Sequence, residues 1–252
     1  MEKPLISIIT IVNKNTVYQK FLESLEKQQD ITYELIKINN THHEFLAARD
    51  AYNAAAKKAQ GKLLFFCHPD IRFLNYHALY DITNYIRGIS SFGVVGVAGS
   101  PYELVNGNRI ILSNIVHGAD KVAAGNKISE PTQVQTVDEC FFVMTKDFWQ
   151  KCPFSIEGGW HLYAVEQCLA ANEQVLTNYV VPANLWHTSE GKSEDYHYYT
   201  YLRHLVNKYR STLPHINTTV KMWPTQGLRS QLYISYWQLN RWTKKILHIK
   251  VK

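Results

Sequence analysis

The chain has 252 residues, of which 46% are hydrophobic and 19% charged, and its formal net charge is +6. This length and composition are typical of one large or two small globular domains, and they exclude a disordered or fibrous protein. No apolar run approaches the roughly 18 residues of a transmembrane helix. The short apolar run that follows Pro4 has no cleavage signature, so we expect no secretory signal peptide.

The charge is distributed unevenly along the chain. Residues 1–195 contain 17 Lys/Arg and all 21 Asp/Glu, which gives −4, whereas residues 196–252 contain 10 Lys/Arg and no acid, which gives +10. The second segment also carries ten of the Tyr and Trp residues. We therefore predict a body at residues 1–195 and a basic, aromatic, helical extension at residues 196–252 with a different partner.

The four cysteines form neither a CxxC pair nor a Cys/His zinc spacing; they are Cys67, Cys140, Cys152 and Cys168. A disulfide framework is not expected in a chain of this size. Reduced thiols favour a cytoplasmic protein.

Apolar, β-branched runs alternate with helical patterns through the first hundred residues. Strands are predicted at residues 5–12, 33–38, 63–67 and 94–98, and helices at residues 17–29, 44–60 and 81–89. This alternation predicts an α/β fold, an open parallel sheet with helices on both faces.

Ligands of such sheets bind at the carboxyl ends of the strands. Three segments occupy those positions and are expected to line one cleft: Val12-Asn13, Asn39-Asn40 and His68-Pro69-Asp70. None of them is a GxGxxG or GxxxxGK[ST] loop, which disfavours a dinucleotide fold or a P-loop.

Asp70 presents a carboxylate at the end of a buried strand, next to the imidazole of His68. These two side chains can hold Mn²⁺ or Mg²⁺, which would neutralise the diphosphate of a nucleotide leaving group. The alternative is a simple turn, since Pro-Asp is common turn chemistry.

The segment AYNAAAKKAQGKLLFFCHPD at residues 51–70 resembles family 2 (GT-A fold) glycosyltransferases, in the branch with His-x-Asp in place of Asp-x-Asp. Further segments agree in order: ISIITIVN, YELIKINN, GVVGVAGS, VQTVDECFFVMTKDFW, GGWHLYAVEQCLAA and VVPANLWHTSEGK. The resemblance spans about residues 4–192. It implies a GT-A-like, mostly parallel sheet flanked by helices.

The resemblance also implies roles for individual residues. Thr10, Val12 and Asn39 would line the nucleoside pocket. The family usually has aspartates where Asn39 and Asn40 stand, but an amide can also pair with a pyrimidine edge because it both donates and accepts.

Two further positions are implied at the diphosphate and the metal. His68 and Asp70 would contact the diphosphate, with Asp70 bound to Mn²⁺ or Mg²⁺. His187 would be a second metal or diphosphate contact. The alternative for His187 is a histidine that merely ends a strand.

The catalytic base is the main departure from the family pattern. Ala164 stands where the family places its catalytic Asp, and Glu166 lies two residues later, about 200° around a helix. An inverting transfer needs a carboxylate that takes the proton of the acceptor hydroxyl. We take Glu166 as the first candidate and Asp138 as the second; Glu139 is the third.

The end of the chain predicts two helices. Residues 196–209 are expected to form a helix over the mouth of the cleft. Within residues 225–252, apolar residues recur at helical spacing with uncompensated cations around them: Leu228, Leu232, Leu239, Trp242 and Ile246, with Arg229, Arg241, Lys244 and Lys245. Such a helix is typical of a contact with an anionic membrane. Packing on the body and an oligomer contact are the alternatives; nucleic acid is disfavoured because no binding motif is present.

Together these features predict a cytoplasmic glycosyltransferase that can also work at the inner face of the membrane. It would move a sugar, with inversion and metal assistance, from a nucleotide-diphosphate sugar (a UDP-sugar first) to a glycan or lipid-linked glycan. The resemblance implies bacterial surface polysaccharide synthesis. The alternative, motivated by Ala164, is a GT-A-fold binding or scaffold protein without turnover. A nucleotidyltransferase ranks lower because its Gly- and Lys-rich N-terminal loop is missing.

Overall fold

The structure is a computed structural model that describes residues 5–189 and 195–246. Its helices are α1 Asn15–Leu25, α2 Ala48–Lys58, α3 Ala78–Arg87, α4 Lys146–Lys151, α5 Tyr163–Glu173, α6 Tyr196–Tyr209 and α7 Gly227–Ile246. The longer strands are β1 Ile6–Val12, β2 Tyr33–Asn39, β3 Leu63–Cys67 and β12 Phe141–Thr145. The three-residue strands are β4 Ile71–Phe73, β5 Val94–Gly96, β6 Ala98–Ser100, β10 Thr132–Val134, β13 Asn178–Val180, β14 Leu185–His187, β15 His215–Asn217 and β16 Met222–Pro224. The two-residue strands are β7 Leu112–Ser113, β8 Val116–His117, β9 Val122–Ala123 and β11 Thr136–Val137.

A seven-stranded sheet in the order β10-β13-β5-β12-β3-β1-β2 forms the centre of the molecule. Strand β1 pairs in parallel with β2 and β3, and β13 pairs in parallel with β5. Strand β12 runs antiparallel to β3 and β5, and β10 runs antiparallel to β13. The α/β fold class is confirmed, with a mixed rather than wholly parallel sheet.

The reversal of β12 follows from its connection. A parallel neighbour requires a crossover along the length of the sheet, usually through a helix. Between β5 and β12 the chain instead forms the small sheet β11-β6-β7. It then re-enters the central sheet at the carboxyl end of β3, where Phe141 pairs with Cys67.

The two faces of the sheet bury separate apolar cores, because alternate residues of each strand point to opposite sides. Phe65 packs with α1 and α3 on one face, whereas its neighbour Phe66 packs with α2 and α5 on the other. Helix α2 approaches closely because its buried side is mostly alanine, including Ala51 and Ala55. The predicted helices on both faces are thus present.

A second small sheet, β4-β14-β8-β9, extends the cleft side of the molecule. Strand β14 is antiparallel to β4 and pairs His187 with Ile71, the residue after Asp70. Strand β8 lies parallel to β14 and pairs His117 with His187. This register brings three separate segments of the chain to the end of β3.

The extension packs on the body. Helix α6 occupies the predicted residues and buries Leu202 and Leu205 against Leu162, Val165 and Leu169. Tyrosines of α6 are buried in this contact. Helix α7 lies within the predicted range, and residues 247–252 lie outside the described residues. None of the helices in the described ranges combines the length and hydropathy needed to cross a bilayer.

We predict that Gly61, just before β3, is required because the backbone there lies directly against β1. A Cβ at Gly61 would lie 2.6 Å from the Ser7 backbone nitrogen and 2.7 Å from the Ile6 carbonyl carbon, and the Gly61 N–H donates to Ser7 Oγ at 2.8 Å. Gly61→Ala should lower the free energy of unfolding by about 1–3 kcal/mol, since backbone must shift. Urea denaturation measures this.

Gly159→Ala is the control, because a Cβ there meets nothing within 4 Å. Equal unfolding midpoints for the two variants would contradict the prediction.

Candidate functional site

A cavity of about 610 Å³ opens at the carboxyl ends of β1 and β3. Its lining includes Ile11, Asn13, Lys14, Ala48, Tyr52, His68, Asp70, Glu139, Trp160, His161, Tyr163 and Ser189. These residues come from β1, α2, the turn after β3, the turn before β12 and the start of α5. Strand-end segments and helix starts therefore converge on one pocket, as the strand-end rule predicts.

His68 and Asp70 on one side of this cavity form a cluster with the buried His187, and their ligand-type atoms all lie within 4.8 Å of one another. Asp70 Oδ2 lies 3.3 Å from His187 Nε2, which also lies 3.0 Å from Ser189 Oγ. Burial opposes ionisation of Asp70, but the hydrogen bond and positive charge of His187 outweigh it and hold the Asp70 pKa well below its usual value. The carboxylate is therefore ionised.

The chemistry of the cluster fits a divalent cation. Asp70 Oδ1 is buried and has no hydrogen-bond partner among the described residues. An unpartnered buried carboxylate oxygen is costly, and a cation would satisfy it. Burial lowers the pKa of His68, which favours the neutral imidazole that binds metals. Burial lowers the pKa of His187, but Asp70 outweighs it and raises that pKa, so a cation that binds this imidazole must displace its proton. One carboxylate with two neutral imidazoles suits Mn²⁺ and is compatible with Mg²⁺.

Glu139 lies on the wall of the cavity at the N-terminus of α5. Its Oε1 accepts from the Tyr163 N–H at 2.7 Å, and the Ala164 N–H also interacts with the carboxylate. Burial, followed by the charge of Asp138, raises the pKa of Glu139 to about 8, although Arg49 and the two helix N–H groups act in the opposite direction. Such a carboxyl group exchanges a proton near neutral pH.

Asp138 faces away from the cavity. Its Oδ2 accepts from Thr219 Oγ1 at 2.6 Å and its Oδ1 accepts from the Cys140 N–H at 3.0 Å. Burial raises the pKa of Asp138, but these hydrogen bonds lower it by a larger amount, so the pKa lies below its usual value. Asp138 thus ties the turn before β12 to the extension and is absent from the lining of the pocket.

Glu166 is engaged in a buried ion pair. Its Oε2 lies 3.1 Å from Arg49 Nε and accepts from Ser155 Oγ at 3.0 Å, and the Arg49 guanidinium stacks on Tyr201 of α6 at 4.1 Å. The side chain therefore points from α5 toward α6, as a rotation of about 200° from Ala164 requires. The structure does not bring the first candidate base into the cavity.

The same ion pair fixes the loop before α5. Arg49 is fully buried, and its Nη1 donates to the carbonyl oxygens of Gly159 at 3.1 Å and His161 at 2.9 Å. Trp160 and His161 of this loop line the cavity. Arg49 and Glu166 are therefore positioning residues for the cavity wall.

The three residues expected at the nucleoside pocket lie elsewhere. Thr10 and Val12 are fully buried in β1 and do not line the cavity, whereas Ile11 and Asn13 do, because side chains of a strand alternate. Asn39 is exposed, and its Oδ1 accepts from Thr41 Oγ1 at 3.0 Å. The structure thus does not bring these three together at the pocket.

Other residues of the site escaped the sequence analysis. The Tyr163 hydroxyl forms a hydrogen bond with His68 Nε2 at 2.7 Å, and His117 Nδ1 lies 3.3 Å from His187 Nδ1. Tyr163 precedes Ala164, so a search for acids in that segment passed over it. His117 lies on a two-residue strand whose register with β14 leaves no periodic signal in the sequence.

A family profile described as a glycosyltransferase like family matches residues 7–209. Among solved structures, the TarS protein of S. aureus has a TM-score of 0.57 at 14% identity; the match covers 94% of this chain and 43% of that one. Its form 1–349, in complex with UDP-GlcNAc, has the same TM-score and identity, with 72% of that chain covered. None of the curated protein sequences matches.

A mannosyltransferase, PcManGT of Pyrobaculum calidifontis, in complex with GDP-Man and Mn²⁺, has a TM-score of 0.52 at 10% identity; the match covers 84% of this chain and 64% of that one. The match to TarS covers less than half of the length of that protein. At these identities the structural likeness shows the fold, whereas the profile match extends over most of the chain. The chain therefore belongs to the glycosyltransferase like family, and its fold is that of the GT-A glycosyltransferases of family 2.

Proposed function

We propose that this protein is a metal-dependent, inverting glycosyltransferase that transfers a sugar from a nucleotide-diphosphate sugar to a hydroxyl group of a glycan or lipid-linked glycan. The observation that carries the proposal is the composition of the cavity. One wall holds His68 and Asp70, which form a cluster with the buried His187, and another holds Glu139, whose pKa is raised to about 8. Charge neutralisation of a leaving group and proton removal from an acceptor are the two tasks of this reaction.

Asp70 and His187, with His68 beside them, would hold Mn²⁺ or Mg²⁺. When bound, the cation supplies positive charge that stabilises the diphosphate leaving group. The Mn²⁺ and GDP-Man complex of the neighbouring mannosyltransferase and the UDP-GlcNAc complex of TarS support this assignment. His117 orients His187 from the side opposite to Asp70 and Ser189.

Glu139 is proposed as the general base in place of Glu166 and Asp138. The acceptor O–H gives its proton to the Glu139 carboxylate, and the oxygen attacks the anomeric carbon. The bond from that carbon to the diphosphate oxygen breaks, which releases the nucleoside diphosphate and inverts the anomeric centre. The Glu139 carboxylate interacts with the Ala164 N–H. It therefore lies next to the helix position at which the family carries its catalytic Asp, and it is proposed to take over that role.

The donor is proposed to be a UDP-sugar. Asn13 lines the cavity, and its Oδ1 accepts from Asn40 Nδ2 at 2.9 Å. This contact orients an amide toward the cavity, and an amide can both donate to and accept from a pyrimidine edge. We place the reaction at the cytoplasmic face of a membrane, in the synthesis of a bacterial surface polysaccharide.

The alternative is a GT-A-fold binding or scaffold protein, for which Ala164 is the specific observation. It predicts donor binding without turnover. A panel of UDP-, GDP- and dTDP-sugars, with and without Mn²⁺, separates the two hypotheses. Release of nucleoside diphosphate from one donor supports the enzyme, and metal-dependent donor binding without release supports the scaffold.

We predict that the cluster binds the cation that turnover needs. Asp70→Asn and His187→Gln should each weaken Mn²⁺ binding at least tenfold, the scale seen for the loss of a metal-site partner. Mn²⁺ titration calorimetry measures the affinity, and donor hydrolysis at limiting Mn²⁺ measures its consequence.

Asp30→Asn is the matched control, because Asp30 forms an exposed pair with His77 at 3.2 Å, outside the cavity. If Asp70→Asn bound Mn²⁺ as tightly as this control, the metal assignment would be wrong.

A second prediction separates the candidate bases. Glu139→Gln should lower turnover by a factor of about 10²–10⁴ with donor affinity retained. Glu166→Gln should instead lower the free energy of unfolding, by up to about 3 kcal/mol, because the buried Arg49 guanidinium loses its ionic partner. Steady-state kinetics and urea denaturation on both variants provide the test.

Loss of turnover in Glu166→Gln at unchanged stability, with Glu139→Gln active, would reverse the assignment. Asp138→Asn adds the remaining candidate to the same comparison. Its expected effect is on stability, through the hydrogen bond from Thr219.

The pH dependence gives an independent prediction. A general base acts in its deprotonated form, so turnover should rise with pH until the Glu139 pKa of about 8 is passed. Were Asp138 the base, its lowered pKa would leave turnover flat across this range. The pH profile of kcat/KM between about pH 5 and pH 9 distinguishes these outcomes, and a profile without an acid limb would exclude Glu139.

A further inference from the structure

Helix α7 carries an exposed apolar stripe along its whole length. Six large side chains on it expose between 54% and 87% of their surface: Leu228, Leu232, Tyr236, Leu239, Trp242 and Ile246. They recur every three or four residues, so at roughly 100° per residue they fall within about one third of the helix circumference. Twenty residues give a rod about 30 Å long, whose outer edge is apolar except for Ser235 and Thr243 in the same sector.

The body of the protein holds the other side of α7. Ile234 is fully buried among the side chains of α6 and α5, and Ser230 is also buried. At the edge of the stripe, Arg203 of α6 donates to Gln238 Oε1 at 2.7 Å and to the exposed Ser235 Oγ at 3.1 Å. The stripe therefore faces outward because the helix is anchored by different residues. The expected alternative, that these apolar residues pack on the body, is not what the structure shows.

The positive charge of residues 196–252 determines which kind of partner can bind the stripe. Residues 196–252 contain ten Lys and Arg residues and no acid. A second copy of this chain would bring another +10 segment against the first, and the two would repel. An anionic lipid surface attracts the same charge, and Lys and Arg near such a surface strengthen binding.

We propose that the stripe of α7 lies on an anionic membrane surface, with its apolar side chains inserted between the lipid headgroups. An amphipathic helix with Leu and Trp on one side and cations around it has the composition of such interfacial helices. Trp242 and Tyr236 suit the boundary, since each presents an apolar ring with a polar group. This inference rests on the proposed placement of the reaction at a membrane face and assigns the surface that makes the contact; vesicle binding can be measured separately from sugar transfer.

Sedimentation with lipid vesicles tests the proposal on the full chain. Vesicles with roughly one third phosphatidylglycerol should bind the protein, whereas vesicles of phosphatidylcholine alone should bind it at least tenfold more weakly, and about 0.5 M NaCl should release it in part. The double variant Leu239→Glu/Trp242→Glu should lose binding by about tenfold or more, because two inserted apolar side chains are removed.

Val175→Glu is the matched control, because Val175 is 93% exposed and lies outside α7. It should bind vesicles like the unmodified protein. Circular dichroism of the double variant verifies that it is folded; if it is not, Leu232→Glu alone replaces it.

Two results would overturn the proposal. The first is equal binding of the stripe variant and the Val175→Glu control to the anionic vesicles. The second is a dimer in light scattering that the stripe variant abolishes, without vesicle binding by either protein, which would assign the stripe to a second copy.

Discussion

One buried guanidinium connects three parts of the molecule that must come together to form the cavity. Arg49 of α2 binds Glu166 of α5, stacks on Tyr201 of α6, and donates to two carbonyl oxygens of the loop before α5. That loop ends in Leu162, a non-glycine residue at a positive φ of 61°. Left-handed backbone at such a residue costs on the order of 1–2 kcal/mol, and the fixed carbonyls offset this cost. The cavity wall thus depends on an ion pair that lies behind it.

The position of Glu139 follows from this arrangement. Once the loop is fixed, α5 begins at Tyr163 and its first N–H groups point toward the turn before β12, where they need acceptors. The half-buried Glu139 carboxylate supplies one acceptor; burial and the charge of Asp138 raise its pKa, whereas Arg49 and the helix N–H groups lower it. A carboxylate from a neighbouring turn can therefore stand where the helix itself has none.

Much of the fold was predictable from local patterns, and much of the site was not. The strand at residues 63–67 and the helix at residues 196–209 were predicted with their observed bounds, because uniform burial and helical spacing leave strong signals. His68 and Asp70 were identified because they follow a buried strand, whereas Glu139 was only the third candidate base, taken from the segment that resembles the family. The burial of Thr10 and Val12 depends on strand alternation within a three-dimensional core, and the direction of Glu166 depends on Arg49, far away in sequence. Neither relation is local.

The register of β14 against β4 has a consequence for the order in which the protein acquires its parts. Asp70 and His187 belong to distant segments and meet only through the pairing of Ile71 with His187. Contacts of such long sequence separation form late in folding, because the intervening loop must close first. The unfolded chain therefore contains no preformed cluster, and any cation held there stabilises the folded state alone. Metal availability would then influence how much folded protein a cell maintains, quite apart from any reaction in the cavity.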